Sequence, residues 1–171
     1  GNRKLIEHLL AVFQDDEVAA AYARQASCPD ADPAERFTRM FNYPKTPAVK
    51  SKEDLPRLGI KTFFCSDVCA MWRRDLYLAL GGFEEKTIFN EDMIFAGKLI
   101  LAGWKIAYVS DAVVLHSHNY TGRQQMKRNF DLGVSQADHP EVFSAASSVG
   151  EGVRLVKETA GYLVRSGNFL Q

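Results

Sequence analysis

The reading turns on residues 81–120: Gly81-Gly-Phe-Glu-Glu-Lys-Thr-Ile-Phe-Asn90-Glu91-Asp92-Met-Ile-Phe95, then Gly103-Trp-Lys-Ile-Ala-Tyr108, then Leu115-His116-Ser-His118-Asn-Tyr120. A turn-rich opening delivers a carboxylate pair, Glu91 and Asp92, to the start of an apolar helix. Asn90 suits the N-cap, and acids in the first turn complement the helix dipole. From Met93 to Trp104 only Lys98 is charged, so most of this helix is expected to be buried. Gly103 supplies its stop. Lys105 to Val109 and Ala112 to His118 read as two strands, with Ser110-Asp111 as the turn between them. A period of two places Val114, His116 and His118 on one face, so both imidazoles point the same way.

Working outward toward the N-terminus, Gly81-Gly82 closes a short helix, Leu76 to Leu80, that Arg73-Arg74-Asp75 leads into. Thr62 to Trp72 is the strongest strand candidate of the first half. Pro44 to Gly59, with three prolines and several lysines, reads as irregular surface chain. Pro33 starts a helix running to about Asn42, after a loop from Ser27. Val18 to Gln25 is apolar and reads as a strand, although its alanines also suit a helix. Leu5, Ile6, Leu9, Leu10 and Phe13 recur at helical spacing, giving an amphipathic helix that ends near Gln14. On the other side, Gly122 to about Gln136 is helical, and Asp138-His139-Pro140 breaks it. A last helix, Val149 to Arg165, aligns Val153, Val156, Ala160 and Leu163 in one stripe.

This alternation predicts an α/β fold with one core over residues 1–171, a mixed sheet flanked by helices. The chain has 171 residues, enough to bury a core. Its 21 basic and 21 acidic side chains cancel, so no global field attracts nucleic acid or anionic lipid. Cys28, Cys65 and Cys69 are an odd count without a CxxC pair, which points to a reducing, cytoplasmic compartment. Cys65 and Cys69 read as buried small hydrophobes rather than zinc ligands. No apolar run approaches the roughly 20 residues that cross a bilayer, and no signal peptide is evident.

The ordered set of motifs resembles the inverting family 2 glycosyltransferases of GT-A fold, in their bacterial rhamnosyltransferase-like branch. It comprises Tyr22-Ala-Arg-Gln25, Phe37 to Tyr43, Arg73-Arg74, Leu80-Gly-Gly-Phe83, Asn90-Glu-Asp92, Gly103-Trp-Lys-Ile-Ala-Tyr108, His116-Ser-His-Asn-Tyr120 and Arg128-Asn-Phe-Asp-Leu-Gly133. Such enzymes begin with a nucleotide-binding half that ends in a metal-holding Asp-x-Asp loop. That half has no counterpart here, so the resemblance implies the C-terminal, acceptor-binding half of a GT-A fold, with little activity by itself. The sheet edge or face that would meet the other half is expected to be exposed or packed in a homodimer. Gln125-Met-Lys-Arg128-Asn129 lacks the Trp of the Gln-x-x-Arg-Trp signature of processive synthases, which favours transfer of single sugars.

The resemblance assigns Asp92 as the general base, with Glu91 orienting the loop or the acceptor. Burial at the mouth of a helix would raise the Asp92 pKa toward neutrality and the helix dipole would oppose it. Alternatively, both acids only satisfy first-turn amides, worth ~0.3–1 kcal/mol. His118 and His116 are expected to complete the shell of a divalent metal, Mg or Mn, or to bind the diphosphate; the alternative is a backbone-bonded pair at a strand end. Arg73 and Arg74 suit a diphosphate, Tyr120 an acceptor sugar, and Asp67 stands where the family leads one to expect Asn. Implied partners are a nucleoside-diphosphate sugar donor, such as a deoxythymidine-diphosphate rhamnose, and a glycan or lipid-linked acceptor at the cytoplasmic membrane face. Lys127, Arg128 and the last helix could touch that membrane, though their mixed charges fit a solvated face better. A rival of another class is a non-catalytic glycan-binding or assembly module, in which Glu91-Asp92 is only a helix start.

Overall fold

The nine residues Val18–Ala26 form β1, whose burial explains its composition: Val18 to Ala23 are all under 4% exposed. Helix propensity favours its alanines, but a strand covered on both faces needs small apolar side chains, and packing wins. The computed structural model describes residues 4–168. In chain order its helices are α1 (Leu5–Ala11), α2 (Pro33–Asn42), α3 (Leu55–Leu58), α4 (Arg74–Ala79), α5 (Glu91–Leu101), α6 (Gly122–Asp138), α7 (Pro140–Phe143) and α8 (Val149–Arg165). The strands are β1, β2 (Ala48–Lys50), β3 (Ala70–Trp72) and β4 (Lys105–Leu115). They form one mixed sheet in the order β2-β4-β1-β3, with β1 and β4 parallel and both outer strands antiparallel to their neighbours. The expected α/β class is therefore observed.

Helices cover both faces. On one, Leu9 of α1 packs with Ala21, Ala23, Ala107 and Val109. On the other, α5 buries Ile94, Phe95, Leu99 and Ile100 against Ala20, Tyr22, Ile106 and Tyr108. α7 then lies so close to α5 that a Cβ on Gly97 would fall 2.2 Å from Cγ1 of Val142. Among the described residues no helix is long and apolar enough to cross a membrane.

Several local expectations are corrected. Lys105 to Leu115 is one strand, not two: Ser110-Asp111 is a bulge rather than a turn. Ala23 pairs with Val109 and Arg24 with Val113, so Ser110, Asp111 and Ala112 have no partner on β1. Only Ala70–Trp72 of the expected Thr62–Trp72 strand pairs with the sheet; the rest is the end of a 3-10 turn at Gly59–Thr62, irregular chain at 63–66 and a second 3-10 turn at Asp67–Cys69. Thr62, Phe63 and Cys65 are apolar or compact because they are buried, not because they pair. The chain from Pro44 to Gly59 is ordered, holding β2, a 3-10 turn capped by Ser51 and Asp54, and α3. Lys50 of β2 is buried and donates from Nζ to the carbonyls of Lys61 (3.1 Å) and Phe64, over the Tyr22 ring. Burial lowers its pKa to about 8.

Asn90 does not cap α5 with its side chain. It adopts a left-handed backbone (φ 70°), and its amide donates to the Leu132 carbonyl at 3.4 Å. In α8 the stripe is out of phase: Val153 and Val156 are 48% and 69% exposed, while Leu155, Thr159 and Tyr162 turn inward. Tyr162 stacks near Phe37 of α2 at 5.0 Å. Apolar residues surround so much of α8 that periodicity alone could not fix its inner face.

Candidate active site

The topology sends several of the singled-out residues to one edge of the sheet. β1 and β4 are parallel, and α5 runs back before the Gly103 turn feeds β4, so the first turn of α5 lies beside the carboxyl ends of both strands. Open α/β sheets carry their ligand sites at that edge. Asp92 stands there in the first turn of α5, Gln25 near the end of β1, and His116 directly after β4, its amide bonded to the Ala26 carbonyl at 2.9 Å.

Asp92 is partly buried. Its Oδ1 accepts from Met93 N at 2.7 Å and its Oδ2 from Asp67 N at 3.2 Å. Burial pushes its pKa up to about 7, with the Asp67 carboxylate adding to the rise and the two amide bonds opposing it. Asp67 is thus a neighbour of Asp92. Glu91 is half-buried beside it and adds a smaller repulsion.

The histidines converge although they lie past the end of β4. Ser117 Oγ accepts from Cys28 N at 3.0 Å, and Asn119 bonds Asp32 N and the Asp30 carbonyl. Those alternate residues fasten the segment to the β1–α2 loop and turn His116, His118 and Tyr120 to the other side, so the period of two persists. The two Nε2 atoms are 3.1 Å apart, and His118 stacks on Tyr120 at 5.1 Å. Burial lowers the His116 pKa, with Arg39 and His118 adding to the effect and Glu35 opposing it, which favours the neutral imidazole.

Other residues join these groups, and sequence reasoning missed them. Gln25 Nε2 donates to Ser66 Oγ at 2.7 Å, and its Oε1 accepts from Arg39. Arg39 Nε donates to Glu35 Oε1 at 2.6 Å, and the same oxygen accepts from His118 N at 3.1 Å. On the far side Arg128 lies over the Tyr120 ring at 5.0 Å and the Phe89 ring at 4.6 Å. These contacts, joined along the chain by Ser66-Asp67 and by the segment 89–92, link Asp92, Asp67, Ser66, Gln25, Arg39, Glu35, His118, Tyr120, Arg128 and Phe89 in one circuit. Among the described residues Arg128 has no ion-pair partner. The available signal was that Gln25, Arg39 and Arg128 all lie within the quoted motifs.

Arg73 and Arg74 are not brought to this edge. β3 is antiparallel to β1, so Arg73 follows it to the opposite end, donating to the carbonyls of Val18 (2.8 Å), Phe13 (3.1 Å) and Asp15 (3.2 Å). Arg74 is exposed at the start of α4 beside it. Their placement therefore does not meet the expectation of a diphosphate site there; Arg73 is a staple for the chain entering β1. Removing it takes a donor from three carbonyls, of which that of Asp15 keeps the Val18 amide, so Arg73→Ala is expected to cost ~1–3 kcal/mol of stability in urea unfolding without altering the titration of Asp92.

Two imidazole nitrogens 3.1 Å apart suit neighbouring ligands of one ion at about 2.1 Å from each. No group of three potential ligands converges among the described residues. Asp30-Ala31-Asp32 has Asp-x-Asp spacing, but Asp32 Oδ1 accepts from Glu35 N at 2.8 Å and caps α2. The histidine pair fits part of a shell, and Mg or Mn would need additional oxygen ligands.

No family model matches the chain, and no solved structure matches it. It is similar to the O-antigen chain rhamnosyltransferase WbaN of Salmonella anatum, 45% identical over 171 residues, covering 98% of this chain and 54% of that protein. It is likewise similar to the O-antigen chain rhamnosyltransferase RfbN of Salmonella typhimurium, 44% identical over 167 residues, covering 96% of this chain and 52% of that protein. The chain spans about half the length of the curated relatives it matches, and it does so along nearly all of its own length.

Proposed function

We propose that this chain is the acceptor-side, base-carrying part of an inverting glycosyltransferase of family 2 and GT-A fold. It moves one sugar, rhamnose by the names of its relatives, from a nucleoside-diphosphate donor to a glycan or lipid-linked acceptor at the cytoplasmic membrane face. The observation that carries this reading is Asp92: a carboxylate with a pKa near neutrality, at the ligand-binding edge of the sheet, in one circuit with the histidine pair.

The acceptor hydroxyl oxygen attacks the anomeric carbon from the face opposite the diphosphate. As the new C–O bond forms, Asp92 takes the hydroxyl proton and the bond to the diphosphate oxygen breaks, its electron pair leaving with the nucleoside diphosphate. A pKa near the working pH is what general-base catalysis favours. Arg128, in contact with two rings and without a carboxylate partner among the described residues, replaces Arg73 and Arg74 as the cation for the departing charge. His118 and His116 would hold a divalent ion, which when bound supplies further neutralisation of the diphosphate. Glu91 and Asp67 set the field around Asp92, and Tyr120, in contact with both His118 and Arg128, is the candidate residue to meet the acceptor.

The test uses a protein of the relatives' full length that contains this chain, with deoxythymidine-diphosphate rhamnose and a lipid-linked glycan. The expected result is release of one nucleoside diphosphate per acceptor, with the transferred sugar inverted at its anomeric carbon. Tight glycan binding with no diphosphate release from any nucleotide sugar would leave a binding module instead.

A further inference from the structure

Gln25 is a buried amide with both ends committed, at 3% exposure on the inner end of β1. Its orientation is fixed by chemistry. Arg39 can only donate, so Oε1 must face it, and Nε2 must face Ser66 Oγ. One end therefore holds the segment whose next amide, Asp67 N, bonds Asp92. The other end holds Arg39, which orients Glu35, the acceptor for His118 N. A buried polar side chain is costly unless satisfied, and a Val or Leu would serve a buried strand end equally well for packing.

We infer that Gln25 is a positioning residue, fixing Asp92 relative to the histidine pair by gripping Ser66 on one side and Arg39 on the other. The inference rests on the transferase reading for its meaning, but the positioning itself is measurable without it. Around Asp92 stand the carboxylates of Asp67 and Glu91, the Tyr43 phenol and the Cys65 thiol. Burial raises Tyr43 to about 12 and raises Cys65 as well, so both stay neutral near pH 7. The Asp92 midpoint then reports its two acidic neighbours and the amides that bond it. Loss of the Asp67 amide bond removes a group favouring the charged form.

The experiment follows the Asp92 carboxyl carbon by NMR through pH 4 to 9 in the parent chain, Gln25→Met, Ser66→Ala and the double variant. The Gln25→Met midpoint is expected to rise by ~0.5 pH or more, with Ser66→Ala giving a similar rise and the pair adding little beyond either. In the full-length enzyme Gln25→Met should lower kcat about tenfold at unchanged donor KM, with the rising limb of its pH profile moved upward. An Asp92 midpoint unmoved in folded Gln25→Met overturns the inference; if that variant does not fold, an unmoved midpoint in Ser66→Ala does so. A moved midpoint in a protein that transfers no sugar keeps the positioning role and removes the transferase reading.

Discussion

Asp92→Asn is expected to slow sugar transfer by about 10²–10⁴-fold and, in the 171-residue chain, to raise the melting temperature at pH 8. The sign of the second effect follows from linkage. The folded chain raises the Asp92 pKa from 3.8 to about 7, so it binds this proton more tightly than the unfolded chain does. The resulting stability is fully present below pH 4, is lost as pH rises through 7, and leaves a cost above it. The full displacement sets an upper bound of about 4 kcal/mol, at ~1.4 kcal/mol per pH unit. Partial hydration reduces that, and Asn forfeits one acceptor for the Asp67 or Met93 amide, worth about 1 kcal/mol. A net gain of ~1–2 kcal/mol corresponds to roughly 2–8 °C for a chain of this size. At pH 4 the gain should vanish. Parallel melting curves of parent and variant at the two pH values check it, and a variant that melts lower than the parent at pH 8 would refute a strained, desolvated Asp92.

The second large effect is mechanical. Gly97 faces Val142 so closely that an added Cβ meets Cγ1 at 2.2 Å, and Val142 is itself 1% exposed. An alanine in a helix interior normally gains about 1 kcal/mol over glycine. Here Gly97→Leu must push α7 off α5, and a loss of ~3 kcal/mol or more in urea unfolding is expected, at the upper end for overpacked cores. Val142→Ala in that background should recover part of the loss, because it vacates the space the new side chain needs. If the two substitutions simply add, the close approach of α5 and α7 is not the cause.

What could be read in advance follows from how local each cause is. The apolar composition of Met93 to Leu101, the Pro33 start of α2 and the shared side of His116 and His118 are visible in neighbouring residues, and each appears in the structure. β2 is three residues long, too short for a period to show, and a lysine at its end disguised it. Arg73 looked like an anion ligand because the Arg73-Arg74 pair suits bidentate contact with a diphosphate, but the direction of β3 decides where it lies. The Gln25–Arg39–Glu35 connection joins β1 to a helix and then to the loop after β4, so only the fold brings it together. The left-handed Asn90 likewise answers to Leu132, 42 residues away.

All of this depends on a single acidic side chain being poised to gain and lose its proton near neutrality. Site-specific carbon NMR of the Asp92 carboxyl, titrated in the intact 171-residue chain, measures that directly. A midpoint close to pH 7 is the expected result. A midpoint close to 4, that of an ordinary solvated aspartate, would leave Asp92 as a helix-start residue and take away the base.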